Sequence, residues 1–291
     1  MKLGVSCNVS VSIESISVNS IEQAALEGAR EAGKRLFLAF LELIERTLPE
    51  NRICDCGGRL ESRGRVDREL MTVVGDVLFR RQKLRCRDCG NEEYPLDRAL
   101  GISARRLVTP GLRERALWLA TEMAYDRASL GIGKLCGISI SDETIKNLVA
   151  EEGTEVIKQK EEERKKVWEQ GEGIPSGEGK KRVFVQVDGT GINDRATKGW
   201  FEAKVGVIFS ETKEVSKDRV EILDKRTYAT VEDISTFKEH FVIEAQKYGV
   251  FQSKEVIFVS DGASWCRGLK EDHFPEATYV LDFWHLARNI K

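Results

Sequence analysis

The order of predicted elements between residues 182 and 291 constrains the fold more than any other feature of the sequence. "VFVQVDG", "WFEAKVGVIFS" and "RVEILDKRTYAT" are rich in β-formers and have short connections, which favours three antiparallel strands. "DISTFKEHFVIEAQKYG" has the pattern of an amphipathic helix that ends at Gly249. "EVIFVSDG" then predicts a fourth strand, and "ATYVLDFWH" a fifth after a short helical segment. This order predicts an α/β domain.

Composition divides the chain into five segments, of which the α/β domain is the last. They are a helical N-terminal segment (1–50), a module of short strands and turns (51–100), a helical region (101–170), a linker (171–181) and the α/β domain (182–291). In the first segment, Ser20 and Gln23 have the spacing of a capping box, which predicts a helix from Ser20 to about Leu48. The predicted fold class is a multidomain α+β chain.

The overall composition favours a soluble chain with real cores. Hydrophobic residues make up 41% of the sequence and charged residues 32%. No apolar run reaches the roughly 18 residues of a membrane span, and no secretory pattern is visible at the N-terminus, so we expect an intracellular protein. The net charge of −2 gives no overall positive field that would attract nucleic acid. Residues 52–115 nevertheless carry a local excess of basic side chains.

Two of the predicted strands end on the same pair of residues, Asp-Gly. Asp188-Gly189 ends the first strand and Asp261-Gly262 ends the fourth. Each pair alone is consistent with a turn, because Asp and Gly are common turn residues. Two carboxylates at one edge of a sheet repel each other unless a cation lies between them, and Mg²⁺ prefers such oxygen ligands. The alternatives are coincidental turns and a magnesium site for phosphodiester chemistry.

This strand order, with "VDGTGI", "SDGASW" and "LDFWHLARNIK", resembles the ribonuclease H-like catalytic domain of DDE-type insertion-sequence transposases. The resemblance is closest to the group typified by the Kra insertion sequences and extends to Mutator-like transposases. It implies that Asp188 and Asp261 are catalytic, with two Mg²⁺ ions in a complete enzyme. It also implies that Asp282 and His285, a D-x-x-H motif, lie near the active site. The implied reaction is cleavage and strand transfer at transposon ends by a homo-oligomer on DNA, in the cytoplasm at the nucleoid.

The third acid of that family is not assigned in this sequence. The family's Glu lies on a helix well downstream of the D-x-x-H motif, whereas this chain stops at Lys291. We therefore expect either a truncated copy or a protein completed by a second reading frame, and whether the chain is itself an enzyme stays open. The competing functions are an inactive DNA-binding remnant that regulates transposition and a nuclease unrelated to transposition. Glu202 is interpreted as a solvated or lysine-paired charge.

Four of the seven cysteines form two closely spaced pairs. "CDCGG" contains Cys54 and Cys56, and "CRDCG" contains Cys86 and Cys89. Four thiolates suit a closed tetrahedral Zn²⁺ site, which would stabilise a region with little apolar sequence, so we predict a zinc ribbon. Free structural thiols are the alternative, and a redox pair is disfavoured because the motif does not open a helix. The other three cysteines are interpreted as small buried hydrophobes: Cys7, Cys136 and Cys266.

Basic residues surround the cysteines, and a helical pair follows them. On a strand, alternate side chains share a face, so one face of this module is a candidate for tracking phosphates, with solvated arginines as the alternative. "ASLGIGKLCGISISDETIKNLV" resembles a helix-turn-helix with its turn at Gly137, and a plain helical hairpin competes with that reading. Leu130 and Leu135 are expected to pack the first helix, and Ile145 and Leu148 the second. The candidate DNA contacts are Arg80, Arg81, Lys83, Arg85, Lys146 and Asn147.

Overall fold

The computed structural model describes residues 4–49, 52–103, 107–194, 199–217, 219–283 and 287. His285, an expected active-site neighbour, lies outside these residues. The described part of the chain contains seven α-helices and two β-sheets, which confirms a mixed α+β architecture. Two compact units, Met1–Thr154 and Glu155–Lys291, divide the chain inside the helix Asp142–Trp168.

The first helix, α1 (Val18–Thr47), starts before the predicted capping box. Its N-cap is Ser17, whose side-chain oxygen accepts the Ser20 N–H at 3.1 Å. Ser20 therefore lies inside the first turn, and the prediction that it caps the helix is wrong. Gly33 lets α1 approach the first sheet closely, because a Cβ at this position would lie 2.8 Å from a methyl carbon of Val74.

The first sheet is a long antiparallel hairpin, β1 (Leu60–Thr72) and β2 (Gly75–Cys86), with a short strand β3 (Glu92–Glu93) beside β2. The Thr72 hydroxyl closes the hairpin turn by donating to the Gly75 carbonyl at 2.7 Å. Gly75 has φ +108°, a left-handed conformation that glycine adopts without steric cost. The predicted short strands are thus two long ones, which hold the cysteine pairs at one end of the hairpin.

Four helices complete the first unit: α2 (Pro95–Leu100), α3 (Pro110–Glu122), α4 (Tyr125–Cys136) and the beginning of α5 (Asp142–Trp168). Pro110 occupies the first turn of α3, as predicted, where its missing N–H costs nothing. Helices α3 to α5 and the segment before α5 share one buried core. Its members are Leu112, Ala116, Leu119, Ala128, Ile132, Ile138, Ile140, Ile145 and Leu148.

The predicted packing of this core is confirmed for α5 and wrong for α4. Ile145 and Leu148 are buried as expected. Leu130 and Leu135 are 48% and 78% exposed, so neither packs the helix. The buried positions of α4 are Ala128 and Ile132, four residues apart on one helical face; Leu130, two residues after Ala128, lies off that face, and Leu135 lies in the last turn, next to the end of the helix at Cys136. Gly137 ends α4 with φ +64°, which confirms the predicted turn.

The second unit contains a five-stranded sheet. Its strands are β4 (Val183–Asp194), β5 (Gly199–Ser216), β6 (Arg219–Thr230), β7 (Val256–Ser260) and β8 (Thr278–Leu281). The order across the sheet is β6-β5-β4-β7-β8. The first three strands are antiparallel neighbours, as predicted, whereas β7 pairs parallel with β4 and β8 pairs parallel with β7. The parallel pairs bring the carboxyl ends of β7 and β8 beside Val187 of β4.

Helices α6 (Ile234–Tyr248) and α7 (Ser264–His273) pack against this sheet. The side chain of Asp233 caps α6 by accepting the Thr236 N–H at 2.9 Å, and Gly249 ends the helix with φ +91° as predicted. The largest buried side chains of the unit's core are Phe237, Phe241, Phe258, Ile208 and Leu269. The apolar face of the sheet is therefore sealed by helices, which makes the strand ends a rigid frame.

The predicted linker, the glycine-rich segment 171–181, contains no helix or strand. Its backbone is hydrogen-bonded to other residues of the second unit. The Gly177 N–H donates to the Gln246 carbonyl at 2.9 Å, and the Lys180 N–H donates to the Ser253 hydroxyl at 3.0 Å. Lys254 N–H in turn donates to the Lys180 carbonyl at 3.0 Å. The segment thus packs against the end of α6, and the division between the compact units falls earlier, after Thr154.

None of the helices in the described residues is both long enough and apolar enough to cross a lipid bilayer.

Candidate active site and candidate metal centre

Three aspartates directly follow three residues that are paired side by side on neighbouring strands. Val187 of β4 is in register with Ser260 of β7, and Ser260 is in register with Leu281 of β8. The residue after each of these three is an aspartate: Asp188, Asp261 and Asp282. Neighbouring strands lie about 4.8 Å apart, so the register places the three aspartates next to neighbouring paired positions of the sheet. We name these three residues the carboxylate edge.

Asp188 does not end its strand. β4 continues to Asp194 as one arm of a hairpin with β5, and Asp188 is paired with Val205. The interpretation of Asp188-Gly189 as a turn is therefore wrong, because the hydrogen bonds of the β4–β5 pair override the local turn preference of Asp-Gly. Asp188 is half-buried, and its carboxylate accepts the adjacent Gly189 N–H at 2.8 Å.

Asp261, in contrast, does begin a turn. Gly262 has φ +88°, and the Asp261 carboxylate accepts the Ala263 N–H at 2.9 Å just before α7 starts. A Cβ on Gly262 would lie 2.9 Å from a methyl carbon of Leu281, so both the backbone angle and the space favour glycine. The turn holds one carboxylate oxygen of Asp261 against the backbone.

The third aspartate is tied to the second by a backbone bond. The Asp282 N–H donates to the Ser260 carbonyl at 2.8 Å, which continues the β7–β8 pairing by one residue. Asp282 is half-buried, like Asp188 and Asp261. The D-x-x-H motif therefore begins at the carboxylate edge, whereas its histidine lies outside the described residues.

The pKa of the Cys266 thiol is affected by two of these carboxylates, Asp261 and Asp188. This thiol is fully buried in α7. Burial first, and then the charge and hydrogen bond of Asp261 and the charge of Asp188, raise the pKa of Cys266 to about 12. Cys266 therefore stays a neutral thiol, and the prediction that it is a small buried group is confirmed. Cys7 and Cys136 are only partly buried.

The carboxylate edge is not a closed metal cage in this conformation. Among the described residues, one group of three or more His, Cys, Asp or Glu has all its ligand atoms within 4.8 Å of one another, and it is the four-cysteine group. Asp188 and Asp261 supply hard oxygen donors on adjacent strands, the donor type that Mg²⁺ prefers. Their chemistry fits the implied ion, while the full coordination sphere needs further ligands or water.

Glu202 is paired with a lysine, as predicted. Its carboxylate lies 3.5 Å from Lys204 Nζ, and Lys204 also donates to the Glu232 carbonyl at 3.0 Å. A Cβ on Gly189 would lie 2.4 Å from a carboxylate oxygen of Glu202, so glycine next to Asp188 makes room for this side chain. Glu202 thus belongs to an ion pair beside the carboxylate edge.

The four cysteines Cys54, Cys56, Cys86 and Cys89 converge at the end of the β1–β2 hairpin. The Sγ atoms of Cys54 and Cys89 are 3.7 Å apart, and those of Cys56 and Cys86 are 3.6 Å apart. A tetrahedral Zn²⁺ with Zn–S bonds of about 2.3 Å requires sulfurs about 3.8 Å apart, so the four thiols have the spacing of a zinc site. This group fits a metal such as zinc.

Tight turns position the four thiols. The Cys54 N–H donates to the Gly58 carbonyl and the Gly57 N–H to the Cys54 carbonyl, both at 2.8 Å. Gly58 leaves space for a ligand, because a Cβ there would lie 2.8 Å from Cys86 Sγ. The local apolar core consists of two leucines and two of the cysteines, too few to stabilise the module alone.

Two of the four thiols have shifted pKa values, in opposite directions. Backbone N–H groups of the turn, that of Cys89 foremost, lower the pKa of Cys86 to about 7. The Gly58 N–H favours the Cys56 thiolate, but the neighbouring thiols outweigh it together and raise the pKa of Cys56 to about 12. One thiolate therefore forms readily and is shared by hydrogen bonds, a usual starting point for metal capture.

Arg81 does not lie on the surface. It is 5% exposed, its guanidinium donates to the buried carboxylate of Asp97, and it stacks 4.0 Å from the ring centroid of Tyr94. A buried, paired guanidinium cannot reach a DNA phosphate, so the structure argues against this candidate DNA contact. Sequence reasoning missed the Arg81–Asp97 pair, because "YPLDR" gives no signal that its aspartate points inward.

The other basic candidates of β2 are accessible but mostly paired. Arg80 lies 3.4 Å from Asp67 with both side chains largely exposed, and Lys83 lies 2.7 Å from Glu92. Arg85 is exposed. Surface ion pairs of this kind are weak, so phosphate groups can replace the carboxylates at little cost.

Lys146 and Asn147 lie on the exposed face of α5, near its N-terminal end. Lys146 is 3.5 Å from Glu143, an exposed pair one turn earlier. The Ser141 hydroxyl caps the helix by accepting the Thr144 N–H at 3.1 Å. Both candidate contacts are therefore presented to solvent on a capped helix that follows a short turn.

Comparison with known proteins gives the family. Residues 12–291 match a family described as an uncharacterised protein family, UPF0236. The chain belongs to UPF0236. A UPF0236 protein in the vanSb 3′ region of Streptococcus gallolyticus is 26% identical over 240 residues, which cover 80% of this chain and 49% of that protein. A UPF0236 protein of Caldanaerobacter subterraneus subsp. tengcongensis is 23% identical over 267 residues, 89% of this chain and 51% of that protein, and its name joins eleven designations. The chain thus spans about half the length of the curated relatives it matches.

Proposed function

We propose that this UPF0236 chain carries the DNA-binding region and part of the catalytic domain of a DDE-type transposase. In this proposal, Asp188 and Asp261 bind Mg²⁺ in a ribonuclease H-like sheet. The observation that carries it is the register of the second sheet, in which Val187 and Ser260 are paired on adjacent parallel strands and each precedes an aspartate.

The topology supports the resemblance on which the proposal rests. In the transposases that the sequence resembles, the first acid belongs to the first strand and the second follows the fourth. Here Asp188 lies on the first strand of the second sheet, and Asp261 follows the fourth strand along the chain. The intervening helix α6 and the core beneath the sheet hold these strand ends rigid, which metal ligands require.

Each residue of the edge has a definable role in this chemistry. A bound Mg²⁺ would activate the attacking water or hydroxyl and stabilise the leaving oxygen of a phosphodiester. Asp188 would hold it from a continuous strand and Asp261 from a turn, two independent supports. Asp282 would extend the negative edge by one strand and orient water beside the ion.

The first unit would supply DNA binding. The proposed parts are a zinc ribbon closed by the four cysteines and a helix-turn-helix formed by α4 and α5. Arg80, Lys83 and Arg85 would contact phosphates, and Lys146 and Asn147 would approach the groove. The name of the Caldanaerobacter relative supports a mobile gene, because eleven designations within one strain are what repeated copies of one gene would give.

Metal binding at the carboxylate edge tests the proposal. We expect Mn²⁺, measured by the electron paramagnetic resonance signal of the free ion, to bind the wild type in addition to any metal at the cysteines. Asp188→Asn and Asp261→Asn should each abolish this site. Asp272→Asn is the matched control, an exposed carboxylate on α7 that lies 2.7 Å from Lys238. Unchanged Mn²⁺ binding in both edge variants would refute the proposal.

A further inference from the structure

Ser260 is a buried polar residue directly before Asp261. It is 2% exposed, because it lies on the same face of β7 as the fully buried Phe258. A buried hydroxyl is costly unless it has hydrogen-bond partners. Ser260 has such partners: its Oγ lies 2.9 Å from the hydroxyl of Tyr279, it accepts the Gly262 N–H at 3.3 Å, and it is also hydrogen-bonded to the buried Cys266 thiol.

Sheet register brings Tyr279 to this position. Tyr279 of β8 is paired with Phe258 of β7, two residues before Ser260, and the rings of Tyr279 and Phe258 stack with centroids 6.3 Å apart. The ring is therefore fixed by packing, and the hydroxyl extends to the next inward position of the neighbouring strand. This arrangement ties β8 to the end of β7 through side chains as well as backbone.

The pair of hydroxyls holds the turn that carries Asp261. Ser260 Oγ accepts the N–H of Gly262, directly after the aspartate, and the Asp261 carboxylate accepts the next one, the Ala263 N–H. The Ser260 carbonyl is held by the Asp282 N–H at 2.8 Å. Loss of the Tyr279 hydroxyl would remove one of the partners that fix Ser260 Oγ, and so weaken its hold on the Gly262 N–H.

We propose that Tyr279 is a positioning residue for Asp261: through Ser260 it fixes the turn 260–263 and so the direction of the metal-binding carboxylate. This inference rests on the proposed function for its metal, but the effect on the turn is independent of metal. Groups that orient metal ligands from behind change metal affinity by about 10- to 100-fold when they are removed.

The test compares Tyr279→Phe with wild type by two measurements. Tyr279→Phe keeps the stacked ring and removes the hydroxyl. We expect Mn²⁺ affinity to fall about 10-fold or more. We also expect the Gly262 amide hydrogen to exchange faster in metal-free protein. Ser260→Ala, which removes the other hydroxyl, should reproduce both effects.

Tyr248→Phe is the matched control. It also removes a tyrosine hydroxyl, one that lies 3.0 Å from Ser210 Oγ and donates to the Asp224 carbonyl at 2.6 Å. These partners belong to β5 and β6, at the opposite end of the strand order from β8. It should change neither Mn²⁺ affinity nor Gly262 exchange. Equal Gly262 exchange in wild type and Tyr279→Phe, or equal acceleration by Tyr248→Phe, overturns the inference. Absence of Mn²⁺ binding in the wild type refutes the proposed function instead, and Gly262 exchange still decides whether Tyr279 holds the turn.

Discussion

At the scale of single residues, the most exacting feature of the first unit is the buried ion pair of Arg81 and Asp97. Both side chains are 6% exposed, and Tyr94 covers the guanidinium. Arg81 Nε and Asp97 Oδ1 have no hydrogen-bond partner among the described residues, so the pair is satisfied mainly by its own contact. A buried charge that loses its partner retains its desolvation cost without compensation.

Removing one partner should therefore destabilise the first unit strongly. We predict that Asp97→Ala lowers the free energy of unfolding by about 3–5 kcal/mol, measured by urea denaturation. Asp67→Ala is the control, because Asp67 pairs with Arg80 at 3.4 Å where both side chains are largely exposed. A loss in Asp97→Ala no larger than in Asp67→Ala would show that Arg81 is solvated after all.

Glu161 gives the second unit a defined response to acid. The hydrogen bonds of Arg164, foremost, lower the pKa of Glu161 to about 2 from its ordinary value of 4.5. Because the folded pKa lies below the unfolded one, the stabilisation is complete above pH 4.5 and disappears as pH falls from 4.5 towards 2. Unfolding measured against pH should show Glu161→Gln less stable than wild type at pH 7 and equal to it near pH 2. Glu162→Gln, in an exposed pair 4.0 Å from Lys158, should track the wild type throughout.

At the scale of elements, the period of the hydrophobic residues predicted most strands and the long helix of the second unit. The strands β4 to β7 and the helix α6 follow from alternation and capping residues, including Gly249. Period did not reveal that β4 runs through Asp188 to Asp194, since Asp-Gly has turn preference and only the partner strand β5 overrides it. It also did not fix the rotation of α4, because "ASLGIGKLC" offers two apolar faces and the three-helix core selects Ala128 and Ile132.

The cysteine module should depend on its metal. We predict about one Zn²⁺ per chain, because four sulfurs with tetrahedral spacing lie at the end of the hairpin. Metal analysis and thiol titration of purified protein measure this directly. Cys86→Ser should lose the zinc, whereas Cys136→Ser, at the end of α4, should retain it. A wild-type protein with no zinc and four freely titrating thiols would contradict the prediction.

DNA binding should belong to the basic residues of β2 and α5. We predict that Arg85→Ala and Lys146→Ala each weaken binding to transposon-end DNA, and that Arg85→Ala, which removes a phosphate contact, also reduces the slope of log affinity against log salt by about 0.9. Fluorescence anisotropy over a salt series gives both quantities. Lys158→Ala, an exposed lysine of α5 in a weak pair with Glu162, is the control. Equal slopes for all variants would move the DNA contact elsewhere.

At the scale of the whole molecule, the register of the strands tells more than any single motif. "VDG" and "SDG" are weak signals apart, and their meaning depends on β4 and β7 being parallel neighbours. The sequence order of strands predicted that both aspartates reach one edge. It did not predict that Asp282 follows Leu281 at the same level of β8, because parallel register depends on packing across the whole sheet.

The carboxylate edge should bind metal more readily than it cleaves DNA. Two carboxylates from adjacent strands give an ion few protein ligands, and each ligand missing from such a site lowers the rate by orders of magnitude. We therefore predict that this chain, which spans about half the length of its matched relatives, binds Mg²⁺ but shows little strand cleavage. A protein of the relatives' full length should cleave transposon-end DNA, and Asp188→Asn or Asp261→Asn in it should abolish cleavage while Asp272→Asn does not. Efficient cleavage by the present chain would instead make Asp282, which follows β8 in register with the other two, the third carboxylate of the reaction.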